Sequence, residues 1–191
     1  MSLVLDGKSH ADRMLEAVRQ AVEARTAAGR RAPALAVVLV GEDPASQVYV
    51  RGKVAACART GIRSLQFRRS GDATQAEVDA RVDRWNADPE IDGILIQLPL
   101  PKPLDTQSVL QRIAPAKDVD GFHPVNQGLL LQGTPGLRPC TPSAVMSMLK
   151  AYGVEMKGRR AVVLGRREIV GKPMALMLLE EHAPVTTAHS R

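Results

Sequence analysis

The sequence predicts an α/β fold in which helices alternate with the strands of mainly parallel sheets. Two apolar runs, residues 34–40 and 91–98, are too short for ordinary core helices, and the first is rich in β-branched side chains. Such runs indicate strands that are buried on both faces. Segments with helical spacing of apolar residues separate the strands, and this alternation implies right-handed crossovers between parallel strands.

The first domain is predicted to extend over residues 1–120, as a three-layer α/β domain around a parallel sheet. Its elements are expected in the order helix 9–28, strand 34–40, a helix from 43–46 to Gly61, strand 64–68, helix 74–85 and a strand within 91–98. Glycines that follow the periodic segments mark helix ends, and the prolines at positions 99, 101 and 103 halt the last strand.

The second domain is predicted to extend over residues 121–191 and to begin with a linker rich in proline and glycine. Its expected elements are a helix from Thr141–Pro142, a strand at 161–164, a helix at 169–181 and a strand at 184–188. This βαβ pattern is typical of the start of a Rossmann-type NAD(P)-binding domain, whose usual form has about six strands. We therefore expect the chain to stop partway through this domain.

The charge pattern favours a small anionic ligand. The formal net charge is +6, but the basic residues are scattered singly or in pairs, with no interleaved aromatic residues to stack bases. These features argue against nucleic acid as a partner. The histidines and cysteines lack the spacing of metal ligands, so no metal site is predicted.

The sequence favours a cytoplasmic protein without a membrane partner. The N-terminus reaches acidic residues before any apolar segment develops, which is a poor signal peptide. No apolar run approaches the roughly 20 residues that are needed to span a bilayer. Cys57 and Cys140 suggest no disulfide framework.

Tyr49 and Lys53 are four residues apart on the second predicted helix, so their side chains share one face. A ring beside an amine can form a binding wall with a proton-transfer group at its edge. The alternative is a surface lysine whose aliphatic stem covers the tyrosine ring. The pair alone favours this second interpretation.

Gln97 interrupts an apolar strand near its C-terminal end, where open α/β sheets bind ligands. A buried amide that lacks partners costs roughly 1 to 3 kcal/mol. Gln97 could therefore orient and polarise an amine or a water, or it could cap the nearby loop backbone. The sequence leaves both interpretations open.

Asp118 and Asp120 stand beside Gly121 in a segment that has the composition of a turn. A carboxylate could also accept hydrogen bonds from a heterocycle that presents an amino group and a ring N–H together. Turn chemistry is the more economical explanation of this spacing.

Residues 165–173 lie between a predicted strand and a helix, where backbone N–H groups and the helix dipole attract phosphate. The segment lacks the general Gly-x-Gly-x-x-Gly pattern of dinucleotide-binding loops. Arg166 could contact a 2′-phosphate, which would favour NADP over NAD. An ordinary strand-to-helix loop remains the alternative.

Six segments together resemble the bifunctional methylenetetrahydrofolate dehydrogenase/methenyltetrahydrofolate cyclohydrolase family, and they occur in the order found in that family. They are residues 40–53, 92–101, 117–122, 139–142, 165–173 and 189–190. The resemblance covers nearly the whole chain, and the joint order of the segments is highly specific.

The resemblance implies NADP-dependent oxidation of 5,10-methylenetetrahydrofolate and hydrolysis of the methenyl product to 10-formyltetrahydrofolate, within one-carbon metabolism and purine biosynthesis. It implies a catalytic set in which Lys53 is the catalytic lysine, Gln97 its amide partner, Tyr49 the ring along the folate and Asp120 the pterin acceptor. Substrate-binding positions add Leu98 and Pro99, and the cofactor-binding positions are Gly165, Arg166, Arg167 and Ser190. A homodimer is also implied.

Arg167 departs from the family pattern, which usually has serine at this position. The exchange puts a bulky cation where the family has a compact hydroxyl, and it bears on the preference for NADP. Two alternatives follow from this departure and from the expected truncation. The chain could retain only one of the two activities, or it could be a catalytically inactive folate-binding protein.

Overall fold

The computed structural model describes residues 3–190; Met1, Ser2 and Arg191, at the ends of the two predicted domains, lie outside the described residues. The α-helices in this range are α1 Gly7–Ala27, α2 Pro44–Thr60, α3 Gln75–Ala87, α4 Thr106–Arg112, α5 Pro124–Leu131, α6 Cys140–Ala151 and α7 Gly171–Glu180, and a short 3-10 helix covers Pro115–Lys117. The strands are β1 Ala34–Val40, β2 Arg63–Arg69, β3 Gly93–Ile96, β4 Ala161–Leu164 and β5 Val185–Ala188.

The described chain forms two compact units, residues 11–118 and residues 119–190 with the N-terminal segment through His10. The first unit contains a sheet in the order β2-β1-β3, and the second contains the pair β4-β5. All strand pairs are parallel, which confirms the predicted α/β class. The predicted domain boundary after residue 120 stays a prediction.

The central position of β1 explains its continuous apolar sequence. The side chains of Val37 and Val38 point to opposite faces of the sheet and both are buried, so both faces of this central strand are covered. Around this sheet, Phe67 of β2 meets Trp85 of α3 edge to face, with ring centroids 6.4 Å apart. The core of the first unit is therefore built on the strand that the sequence identifies most clearly.

Local capping chemistry fixes the ends of α2, the helix that carries the lysine. The Asp43 carboxylate accepts a hydrogen bond from the Ser46 backbone N–H at 2.7 Å, and Pro44 occupies the first turn. At the other end, Gly61 adopts φ 74°, the left-handed conformation that ends many helices. Both predicted ends of this helix are confirmed.

The start of α1 lies two residues before the predicted position. Asp6 accepts hydrogen bonds from the backbone N–H groups of Lys8 and Ser9, so it caps a helix that begins at Gly7. The Tyr152 hydroxyl in turn accepts from the Asp6 backbone N–H at 2.9 Å. This partner is 146 residues away, so local periodicity could not reveal it.

Other boundaries also differ from the predictions. The helix expected from residue 169 begins at Gly171, and the helix expected from Thr141–Pro142 begins one residue earlier. Helices α4 and α5 were not predicted, since they are only 7 and 8 residues long; α4 follows a proline-rich segment, and α5 begins with Pro124. In the second unit, Met146, Val163 and Met174 form a buried apolar cluster that joins α6, β4 and α7.

Candidate functional site

The structure brings Lys53 and Gln97 together. The Lys53 ammonium nitrogen, Nζ, donates to the Gln97 side-chain oxygen, Oε1, at 2.9 Å. Gln97 directly follows the C-terminal part of β3 and is only 7% exposed, whereas Lys53 is half-buried. The contact forms because α2 follows β1, and β1 pairs with β3.

The orientation of the Gln97 amide is fixed by the backbone beside it. Its amide nitrogen, Nε2, donates to the Leu98 carbonyl oxygen at 2.8 Å, so its oxygen is directed to the lysine. The buried Ser46 hydroxyl donates to the same carbonyl at 3.4 Å. The Leu98–Pro99 peptide bond, which follows directly, is cis.

Tyr49 extends the site along α2. The tyrosine lies one helical turn before Lys53 and is 64% exposed, so its ring can receive a ligand. Leu98 is half-buried and Pro99 is exposed at the end of β3. These residues offer apolar and aromatic surface next to one amine and one oriented amide.

Chemically, this arrangement suits proton transfer to or from a bound molecule. The amine has an acceptor that stays unprotonated, so it can lose or gain a proton without breaking an ion pair. The neighbouring Cys57 on α2 is buried, and burial raises the pKa of its thiol, so it is a poor nucleophile.

Asp120 belongs to the second compact unit and is half-buried. The next residue, Gly121, has φ 66°, and a Cβ atom there would lie 2.6 Å from the Arg138 carbonyl carbon. Glycine is therefore required by the backbone, as the turn interpretation expects.

The loop after β4 surrounds a cavity of about 840 Å³. The residues that line it include the four predicted cofactor-binding positions, Gly165, Arg166, Arg167 and Ser190, together with Leu164, Ile169, Val170, Gly171, Ala188 and His189. A Cβ atom on Gly171 would lie 2.3 Å from the Gly165 carbonyl oxygen, so the loop closes against the first turn of α7 only with glycine there.

The charges of this loop suit an anion. Arg166 and Arg167 are both exposed at the cavity. The acid of the loop, Glu168, pairs with Lys172 at 2.9 Å, and this hydrogen bond lowers the pKa of the Glu168 carboxyl. The N-terminus of α7 adds backbone N–H groups and the positive end of the helix dipole.

Sequence reasoning missed Ser46 as part of the site and treated it only as a helix start. The only indication in the sequence was a serine in the first turn of α2. Its hydrogen-bond partner, the Leu98 carbonyl, is 52 residues away, so the sequence alone did not reveal the contact. His189 was considered only as part of a family motif and as a metal ligand, which was rejected, although it lines the cavity beside Ser190.

Two further findings concern the part of the chain that the structure describes. No cluster of three or more histidine, cysteine or acidic residues is arranged there to hold a metal ion. In residues 3–190, no helix combines the length and the apolar character that a membrane span requires.

Comparison with known families gives two matches that together cover most of the chain. The family described as "Tetrahydrofolate dehydrogenase/cyclohydrolase, catalytic domain" matches residues 5–120. The family described as "Tetrahydrofolate dehydrogenase/cyclohydrolase, NAD(P)-binding domain" matches residues 139–191.

Similar proteins include the bifunctional protein FolD of Oleidesulfovibrio alaskensis, 55% identical over 99% of this chain and 68% of that protein. FolD of Neisseria gonorrhoeae is 52% identical over 98% of this chain and 66% of that protein. The chain thus spans about two thirds of the length of these curated relatives.

Solved structures agree with these relatives. The bifunctional enzyme FolD from Campylobacter jejuni has a TM-score of 0.96 and 42% identity, over 99% of this chain and 67% of that one. The Trypanosoma brucei dehydrogenase-cyclohydrolase, solved with NADP cofactor and an inhibitor, has a TM-score of 0.94 and 37% identity, over 98% and 64% of the two chains.

Proposed function

Since this chain belongs to the tetrahydrofolate dehydrogenase/cyclohydrolase family, we propose that it performs the two reactions of that family. The first is NADP-dependent oxidation of 5,10-methylenetetrahydrofolate to the methenyl cation, and the second is hydrolysis of that cation to 10-formyltetrahydrofolate. The observation that carries this proposal is the hydrogen bond between Lys53 and Gln97 at the C-terminal end of β3.

The loop at residues 165–171 fits NADP because it combines two exposed guanidinium groups with a helix N-terminus. When bound, NADP would accept a hydride from the methylene carbon that bridges N5 and N10 of the folate. Arg166 and Arg167 would hold the 2′-phosphate, which NAD lacks. Ser190 would contribute a hydroxyl at the edge of the cavity.

In the hydrolysis, water attacks the methenyl carbon, and the bond from this carbon to N5 then breaks. Lys53 in its amine form accepts a proton from the attacking water and returns a proton to N5 as the ring opens. Gln97 directs the amine toward the reacting carbon through its hydrogen bond at 2.9 Å. The hydroxyl left on the carbon loses its proton to solvent as the carbonyl forms, so the reaction consumes one water, leaves the formyl group on N10 and a hydrogen on N5, and releases one proton.

Several residues would hold the folate without taking part in bond changes. Tyr49 offers its exposed ring to the flat part of the substrate. Leu98 and Pro99 contribute apolar surface beside Gln97. Asp120 would accept hydrogen bonds from the amino group and ring N–H of the pterin, a charge-assisted contact.

We further propose that the protein works in the cytoplasm as a homodimer and supplies one-carbon units to purine biosynthesis. Sedimentation of the purified protein over a range of concentrations tests the dimer, because only a dimer gives twice the 20.6 kDa chain mass.

The central experiment measures hydrolysis of 5,10-methenyltetrahydrofolate by the protein and by its Lys53→Met variant. We expect the substitution to reduce the rate by at least about 100-fold, the usual contribution of a general acid–base group. Folate binding should remain, because Tyr49 and Asp120 are untouched. Lys157→Met is the matched control, since Lys157 is an exposed lysine of the second unit.

Equal activity in the wild type and Lys53→Met would contradict the assigned role. Hydrolysis without NADP reduction would instead support a protein that retains only the cyclohydrolase activity. Folate binding with neither reaction would support a binding protein.

A further inference from the structure

A second cavity, of about 270 Å³, lies at the C-terminal ends of β1 and β2. It is lined by Leu39, Gly41, Glu42, Gln47, Arg68, Arg69 and Ser70. None of these residues takes part in the proposed folate chemistry. The two adjacent arginines give the cavity a cationic wall.

These arginines belong to a larger group that surrounds two buried rings. The guanidinium carbons of Arg69 and Arg81 lie 4.4 and 4.7 Å from the centroid of the Phe67 ring, and that of Arg81 lies 5.6 Å from the Trp85 centroid. The pKa of Arg81 is lowered by burial first, and then by the positive charges of Arg84 and Arg69. The cations therefore repel one another.

Acids near this group offset its charge only in part: the charge of Arg69 contributes to the lowered pKa of Glu77, yet Arg81 still feels the positive charges of Arg84 and Arg69. Within residues 3–190, no ion pair is formed by Arg68, Arg69, Arg81 or Arg84. Asp72 accepts a hydrogen bond from Ser70, and Glu77 is held by Thr74 in the capping box of α3. Glu42 lines the cavity and opposes an anion there.

The first turn of α2 separates this cavity from the lysine site. Ser46 on this turn bonds to the Leu98 carbonyl beside Gln97, whereas the next residue, Gln47, lines the cavity. Consecutive helix residues point about 100° apart, so the two sites lie on different flanks of the helix. A ligand can therefore occupy the cavity independently of the folate.

We propose that Arg68 and Arg69 form a subsite for an oxyanion group, phosphoryl or carboxylate, of a small ligand. Arginine recognises both groups through paired, charge-assisted hydrogen bonds. Arg68 uses its Nε to donate to Gln66 at 2.8 Å, which leaves its terminal amino groups for the ligand. Phe67 and Trp85 are only 5% and 6% exposed, so they offer no surface for stacking nucleic-acid bases.

Calorimetric titration of the whole protein with pyrophosphate and, separately, with citrate tests this subsite. We expect saturable binding of at least one anion, and the stronger one identifies the group as phosphoryl or carboxylate. Arg68→Gln and Arg69→Gln should each weaken it about tenfold, and Glu42→Gln should strengthen it, because the variants change the charge that faces the anion. Arg30→Gln is the matched control. Arg30 precedes the N-terminal end of β1, so the length of this strand, about 23 Å, separates it from the cavity at the other end.

Two results would overturn the proposal: no saturable binding of either anion, or equal affinities in Arg30→Gln, Arg68→Gln and Arg69→Gln. If pyrophosphate bound instead at the loop of residues 165–171, the three variants would have equal affinities, because these substitutions do not alter that loop. Circular dichroism checks each fold, and if Arg69→Gln is unfolded, Arg68→Gln and Glu42→Gln decide the question. Neither result bears on the folate reactions.

Discussion

At the scale of single residues, the orientation of one amide defines the chemistry of the lysine site. The Gln97 side chain could present either its oxygen or its nitrogen to Lys53, but the Leu98 carbonyl accepts only from a donor. The nitrogen is therefore committed to the backbone, and the oxygen accepts from the lysine. A neutral acceptor supports the amine while leaving its protonation state free to change.

Replacing Gln97 by glutamate tests this argument, because the shape is nearly unchanged while the acceptor becomes an anion. A carboxylate beside Lys53 would form an ion pair with its ammonium group, and this ion pair opposes proton transfer by the lysine. We expect hydrolysis at pH 7 to fall about 100-fold and the rate–pH profile to move to higher pH. An unchanged profile would show that the lysine does not transfer protons.

Arg167 provides a second prediction at this scale, because it faces the cavity together with Arg166. Arg167→Ser should weaken NADP binding about tenfold and leave NAD binding nearly unchanged, since one charge-assisted contact to the 2′-phosphate is lost. Fluorescence titrations with both nucleotides measure this difference. Arg159→Ser, at the opposite end of β4, is the control. Stronger NADP binding in Arg167→Ser would mean that the arginine obstructs the phosphate.

At the scale of elements, a lysine outside the active site closes the C-terminal end of α3. The Lys117 ammonium donates to the carbonyl oxygens of Trp85, Asn86 and Asp88 at 2.8, 2.9 and 2.7 Å. These carbonyls have no partner within the helix, and a cation also complements the helix dipole. These three hydrogen bonds hold the segment that leads to Asp118. Asp118 in turn forms a β-bridge with Ile94 of β3.

We expect Lys117→Met to lower the free energy of unfolding by about 1 to 3 kcal/mol, because three part-buried hydrogen bonds are lost and the Trp85 and Asn86 carbonyls lose their lysine donor. Urea unfolding followed by circular dichroism measures this change. Lys102→Met is the control, since Lys102 is exposed in the same unit, and its effect should stay within about 0.5 kcal/mol. Equal unfolding midpoints for both variants would refute the capping role.

The sequence predicted the elements that are determined by residues close together in the chain. The apolar run of β1 and the cap at Asp43 identify their elements directly. The contact from Lys117 to α3 spans about 30 residues, and α5 is stabilised by burial of Asn126 and Leu130 rather than by a long periodic pattern. The Lys53–Gln97 contact likewise required knowledge of which strands pair, so the sequence could only leave it open.

At the scale of the whole molecule, many carboxylates are held in the ionised form. Glu16 has its pKa lowered to about 2, chiefly by the hydrogen bond from Arg19. Asp92 has a lowered pKa because Arg31 donates two N–H groups to it, and the Ala34 backbone adds a third donor at the start of β1. The excess of arginine thus serves the folded state as well as the proposed anion sites.

This pattern predicts a stability that falls in acid. A carboxyl whose pKa is lower in the folded state than in the unfolded state stabilises the protein at pH values above its unfolded-state pKa. This unfolded-state pKa is near 3.8 for aspartate and 4.5 for glutamate. That contribution is lost as the pH falls from these values toward about 2, the folded pKa of Glu16. We expect the urea midpoint to be nearly constant from pH 7 to about 5.5 and to fall steeply below about 4.5.

Asp92→Asn should lower the midpoint at pH 7 and make the fall shallower, because it removes one titrating group together with its ion pair. The same slope in wild type and Asp92→Asn would show that the acid sensitivity comes from the rising net positive charge rather than from this contact.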